Sequence, residues 1–126
     1  MATWDDVDRI ASVLPDTAQG EPHQWRVHGK AFVWERPLRP KDRTELGDVA
    51  PEAAPLAFWV SDEGEKQALL GDDPATFFTT SHFDGYAIVL ARLDRIAVPE
   101  LEEVVQDAWL ARAPKRLAAQ YLAASE

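Results

Sequence analysis

The segment Thr79-Thr80-Ser81-His82-Phe83-Asp84 places hydroxyls, an imidazole and a carboxylate within six residues. A hydroxyl, a base and a carboxylate that orients the base are the parts of a nucleophilic triad. Such a triad needs the three groups to converge in space in a set hydrogen-bond order, which adjacency along a chain rarely supplies. The chain has no Gly-x-Ser-x-Gly elbow and no glycine-rich oxyanion loop. Ser81, His82 and Asp84 therefore read as groups that satisfy backbone at a turn entering a strand. His23, His28 and His82 fit no zinc or facial-triad spacing. In a strand, His23 and His28 would point to opposite faces. No catalytic residue, metal site or cofactor is expected, and the chain reads as non-enzymatic.

Binding chemistry has two candidates. Residues 26–43 carry six basic side chains (Arg26, Lys30, Arg36, Arg39, Lys41, Arg43) against two acidic ones, a balance of +4, while the remaining residues balance at −13. Lysine and arginine on flexible stems suit phosphate contacts, and Trp34 beside them could stack on a base. Lys115 and Arg116 form a second small cluster. The other candidate is aromatic: Phe77, Phe78, His82, Phe83 and Tyr86 lie within ten residues and could form a pocket or patch for a protein or small ligand. Asp5, Asp6 and Asp8, and Glu100, Glu102, Glu103 and Asp107, could offer oxygen-rich cation contacts. Helix-dipole compensation explains these acids more simply.

The 126 residues fit one domain, 1–126, with five Trp, five Phe and two Tyr to fill a core. A net charge of −9 disfavours nucleic acid for the surface as a whole. The absence of cysteine removes disulfides and thiolate chemistry and fits a reducing cytoplasm. The acidic N-terminus is unlike a signal peptide. The longest apolar run, residues 86–91, is far shorter than the roughly 20 residues a bilayer requires. A membrane partner is not expected.

The elements that position these residues follow from local signals. Thr3 and Asp6 form a capping box before Val7, Ile10, Ala11 and Leu14, which share one helical face until Pro15-Asp16 ends it. Residues 24–36 predict a hairpin about Gly29-Lys30, with Val27 opposite Phe32 and Trp25 opposite Trp34 on one face. Residues 37–55, with four prolines, predict a long loop. A strand over 56–60 precedes a helix capped by Asp62 or Ser61 and ending at Gly71. Asp73-Pro74 begins a single turn through Phe78. A strand follows over 86–93. Pro99 opens a helix striped by Leu101, Val104, Val105, Ala108 and Trp109, and Pro114 breaks it before a last helix over 115–124. The order predicts an α+β two-layer sandwich, with N- and C-terminal helices packed on an antiparallel sheet.

Three segments carry a resemblance: Val27-His-Gly-Lys-Ala-Phe-Val33, Thr80-Ser-His-Phe-Asp-Gly-Tyr86 before a strand, and Ala108-Trp-Leu-Ala-Arg-Ala-Pro-Lys-Arg116. In this order, across nearly the whole chain, they resemble the MmcQ/YjbR family. That resemblance implies a frataxin-like (CyaY-like) fold, described as a double wing, and a DNA-binding role. The segment around His82 lacks the lysine that some members carry there.

Two expectations result. In the first, the chain is a weak, salt-dependent DNA binder whose wing carries Arg26, Lys30, Arg36, Arg39, Lys41 and Arg43, helped by Lys115 and Arg116. In the second, Phe78, His82, Phe83 and Tyr86 bind a protein or small molecule and nucleic acid has no part.

Overall fold

The computed structural model describes residues 1–124. Helix α1 (Trp4–Ala11) begins at the predicted box: the Asp6 N–H donates to Thr3 Oγ1 and Asp6 accepts from the Thr3 N–H. Its Val7, Ile10 and Ala11 are buried. The strands are β1 (Thr17–Gln19), β2 (Gln24–Val27), β3 (Lys30–Glu35), β4 (Leu56–Trp59), β5 (Phe77–Phe78) and β6 (Ile88–Ala91). They form one antiparallel sheet in the order β1-β2-β3-β4-β6-β5. Helix α2 (Pro40–Leu46) follows β3, α3 (Glu63–Asp72) follows β4, and α4 (Val98–Arg112) and α5 (Lys115–Ala124) close the order. The fold is α+β, as the element order predicts. No helix among the described residues is long and apolar enough to cross a membrane.

One face of the sheet makes the main core. Trp25, Val27, Val33, Leu56, Phe58, Val89 and Ala91 meet the buried stripes of α1 and α4 there. Helix α4 crosses β3 and β4 with α1 beside it. Trp109 of α4 is fully buried and donates Nε1–H to the Pro15 carbonyl at 3.0 Å, tying α4 to the turn that follows α1.

The hairpin departs from its predicted register. The turn residues are His28 and Gly29, with φ of 49° and 79°. Positive φ at both central positions is what a type I′ turn requires. Val27 therefore faces Lys30, Arg26 faces Ala31 and Trp25 faces Val33, with a register shift between Trp25 and Arg26. Phe32 has no partner in that register, and it and Val33 are both fully buried in the main core. The expected Trp25–Trp34 pair does not form. Trp34 lies opposite Gln24, half-buried on the other face of the sheet.

That other face carries a smaller apolar cluster of Ala57, Phe78, Phe83, Ile88 and Leu90, edged by Trp34, Leu38, Leu46 and Trp59. Its cover is the segment expected to be a loop. Pro40 takes the first turn of α2, where its missing N–H costs nothing, and Asp42 accepts from the Arg39 N–H at 2.9 Å. A 3-10 turn (Gly47–Val49) follows, and a second one, Ser81–Phe83, lowers Phe83 onto the sheet. The last predicted strand is shorter than expected: β6 spans Ile88–Ala91, and Tyr86 is 56 % exposed ahead of it.

Candidate functional site

The basic residues do not form one wing. Lys30 stands at the hairpin turn and Arg36 just past the far end of β3, so about 20 Å of strand separates them. Arg26 is turned onto its own hairpin, donating to Gln24 Oε1 at 3.1 and 3.0 Å and to the Gly29 carbonyl at 3.3 Å. Arg36 is a structural cation. It pairs with Asp42 at 3.3 Å, donates to the Pro37 carbonyl, and lies 5.4 Å from the centre of the Phe83 ring. Arg43 donates to the Pro51 and Glu52 carbonyls at 3.1 and 3.4 Å. Arg39, Lys41, Lys115 and Arg116 are exposed. Residues 36–52 hold four basic and four acidic side chains, so the surface around α2 is neutral.

The aromatic segment is also divided. Phe78 and Phe83 are buried in the smaller cluster, while His82 is exposed and meets Phe83 edge-on at 4.9 Å. Ser81 is not poised as a nucleophile. Glu45 of α2 accepts from its N–H at 2.8 Å and its hydroxyl at 2.6 Å. Burial pushes the Asp42 pKa up, but the Arg39 N–H, the Arg36 guanidinium, the Thr80 hydroxyl and His82 together hold it below the ordinary 3.8. The turn is also held from α3, where buried Lys66 donates Nζ–H to the Phe83 and Tyr86 carbonyls at 2.9 and 2.8 Å. The segments 36–46 and 80–86 are therefore one assembly on the second face of the sheet.

The acids serve structure too. Asp6 is the capping acid, and Asp8 accepts from Trp25 Nε1–H at 3.1 Å and from the Ser12 hydroxyl at 2.9 Å. Among the described residues no three His, Asp or Glu side chains are grouped as a metal ion would need.

A concavity lies where neither binding candidate was centred. A cleft of about 970 Å³ opens between the start of α1, the segment 48–55, Pro74-Ala75 and the segment 92–95 that follows β6. Phe78 is its one member from the predicted aromatic set. Arg92 lies in its wall, rooted by its N–H to the Thr76 carbonyl at 2.9 Å. The guanidinium stacks 4.4 Å from the Phe78 ring centre and donates through Nη2 to the Val49 carbonyl. Nη1 is buried with no acceptor among the described residues. Leaving a buried donor unmet costs about 1–3 kcal/mol. Burial, then repulsion from Arg95, hold the Arg92 pKa below its ordinary value, with Asp94 pulling the other way. The sequence signal for this wall is Arg92 near the end of the strand expected over 86–93, followed by Asp94 and Arg95, which on its own reads as an ordinary strand end.

With this geometry in place, comparison with known proteins settles the family. The YjbR family model matches residues 12–111. The chain belongs to the YjbR family. It is 52 % identical over 128 residues to uncharacterised proteins of Mycobacterium tuberculosis and Mycobacterium bovis, covering 99 % of this chain and of each of them. A crystal structure of a Deinococcus radiodurans protein with a DUF419 domain shares the fold. Its TM-score is 0.63 at 18 % identity, covering 87 % of this chain and 78 % of that one.

In this YjbR chain the segments that carry the resemblance hold the fold together. The first makes the His28-Gly29 turn. The second receives Glu45 and Lys66. The third buries Trp109, sets Arg112 4.2 Å from the centre of the Trp59 ring, and breaks α4 from α5. Tyr121 of α5 then returns to within 4.9 Å of Trp109.

Proposed function

We propose that this YjbR chain is a non-enzymatic, cytoplasmic binding domain whose ligand is a small molecule held in the cleft beside Phe78. The observation that carries the reading is the cleft of about 970 Å³. Small-molecule sites are concave, mostly apolar and roughly 300–1,000 Å³ in volume, with a few polar groups that fix orientation. Here eight of the eighteen lining residues are alanine or proline, Phe78 forms part of the lining, and Arg92 is the polar group with a donor unmet. The lack of cysteine supports the cytoplasm. The test is a fragment screen followed through the backbone amides by NMR. Shifts confined to 48–55, 75–78 and 92–95 support the cleft, and fragments that bind elsewhere or nowhere sink it.

A second reading, weak DNA binding, is favoured by the exposed Lys30, Arg39, Lys41, Lys115 and Arg116, cations able to reach phosphate. It has to work from separated cations on a chain of net charge −9. Anisotropy of a labelled duplex from about 50 to 200 mM salt decides it. Saturable, steeply salt-dependent binding that weakens in Arg39→Glu/Lys41→Glu favours the DNA reading, and silence at the lowest salt removes it.

A further inference from the structure

Resting on the cleft reading above, we infer that the cleft selects a ligand with a single carboxylate on an apolar body, and that Arg92 takes the carboxylate. Arg92 is built in rather than draped on the surface: its backbone is bonded to Thr76, its plane is stacked on Phe78, and Nη2 is bonded to Val49. What remains is Nη1, buried and without an acceptor among the described residues. A guanidinium is planar and permanently charged, and a buried charge is stable only when its donors are met. The partner that fits its fork is a carboxylate or a phosphate.

The walls choose between those two. Asp48, Glu52 and Asp94 also line the cleft, against only Arg92 and Arg95. A dianionic phosphate would meet that excess of negative charge, whereas one carboxylate on Arg92 adds least to it. The rest of the ligand is apolar because the cleft presents apolar surface to water: Val49 is 63 % exposed beside it, and Trp4 is only half-buried. Covering such surface is favourable in proportion to its area. Since Nη1 is itself covered and Nη2 is taken, the carboxylate reaches the guanidinium by replacing the Val49 carbonyl on Nη2, and binding therefore moves the 3-10 turn at 47–49.

The probes are 2-naphthoate and its neutral analogue 2-naphthamide, titrated into the unmodified protein and followed by amide NMR. The carboxylate is expected to bind at least about tenfold more tightly, the size of one charge-assisted bond, with Val49 and Ala50 among the amides that shift. Arg92→Met is expected to abolish the preference, bringing the two probes to equal affinity. Equal affinity in the unmodified protein overturns the inference and leaves the cleft reading standing. A preference that survives Arg92→Met overturns it as well. If neither probe nor any uncharged fragment shifts the cleft amides, the cleft reading falls too. The comparison in the unmodified protein decides the question even if Arg92→Met folds poorly.

Discussion

Glu45 and Ser81, thirty-six residues apart, are joined by two hydrogen bonds, the Ser81 N–H at 2.8 Å and its hydroxyl at 2.6 Å both donating to one carboxylate. Through them α2 caps the 3-10 turn that carries Phe83. The basic segment and the aromatic segment, separate proposals along the chain, are thus mechanically one unit. Glu45→Ala is expected to loosen this unit without unfolding the sheet. Because the pair is exposed, a double-mutant cycle with Ser81→Ala should give a coupling of about 0.5–1 kcal/mol. Hydrogen exchange of the Ser81 and Phe83 amides would accelerate in Glu45→Ala. Unchanged exchange would mean that packing alone holds the turn.

The Arg36–Asp42 pair should behave differently, since its side chains are only 11 % and 6 % exposed. Breaking a buried pair by removing one partner strands the other, at about 3 kcal/mol. Asp42→Ala should therefore lower the urea midpoint more than Asp42→Asn, which retains an acceptor for the Arg39 N–H. The pH dependence has a definite sign. Asp42 titrates below 3.8 in the folded chain, so its stabilisation is complete above the unfolded pKa and is lost as pH falls through the folded one. The gap in Tm between the unmodified chain and Asp42→Asn should narrow below about pH 4.

Lys66 tests the same assembly from α3. Lys66→Met keeps the aliphatic stem but strands the Phe83 carbonyl in a buried position. A loss of about 1–3 kcal/mol is expected, with faster amide exchange over 83–86. A variant as stable as the parent would show that the ammonium is dispensable there.

Asp107 should give the opposite pH response. Partial desolvation of this exposed side chain, with Glu65 and Glu103 nearby, raises its pKa above the ordinary 3.8. The raised value favours the protonated form, so the associated stability is present at low pH and is lost as pH rises through the folded pKa. Asp107→Asn is therefore expected to raise Tm at pH 7, by an amount that shrinks as the solution is acidified. A substitution that lowers Tm at pH 7 would show that the carboxylate has a favourable partner.

Local signals in the chain were reliable where they were self-contained. The Thr3–Asp6 box, the stripe of α4 and the break at Pro114 need only near neighbours, and each stands where the spacing places it. Helix α2 was not legible, because its proline-rich stretch is helical only with Asp42 paired to Arg36 and Leu46 set on the second cluster. The hairpin was legible as a hairpin but misplaced by one residue, since His28, a non-glycine, takes a left-handed conformation beside Gly29. Strand β1 is three residues with no apolar alternation and exists by pairing with β2.

Sequence alone determined the α+β class, the helical stripes that cover the sheet, and membership of the YjbR family through motifs spread along the chain. Only the tertiary structure decided which charges are free. Arg36 and Arg43 look like phosphate ligands in sequence, but folding gives one a buried carboxylate and the other two backbone carbonyls. Arg92 looks like an ordinary strand-end residue, yet folding leaves one of its nitrogens buried and unmet in the wall of a cleft. The physical reason is that local propensity depends on neighbours a few residues away, whereas a charge's partner is set by which distant backbone and side-chain groups the packed chain brings to it.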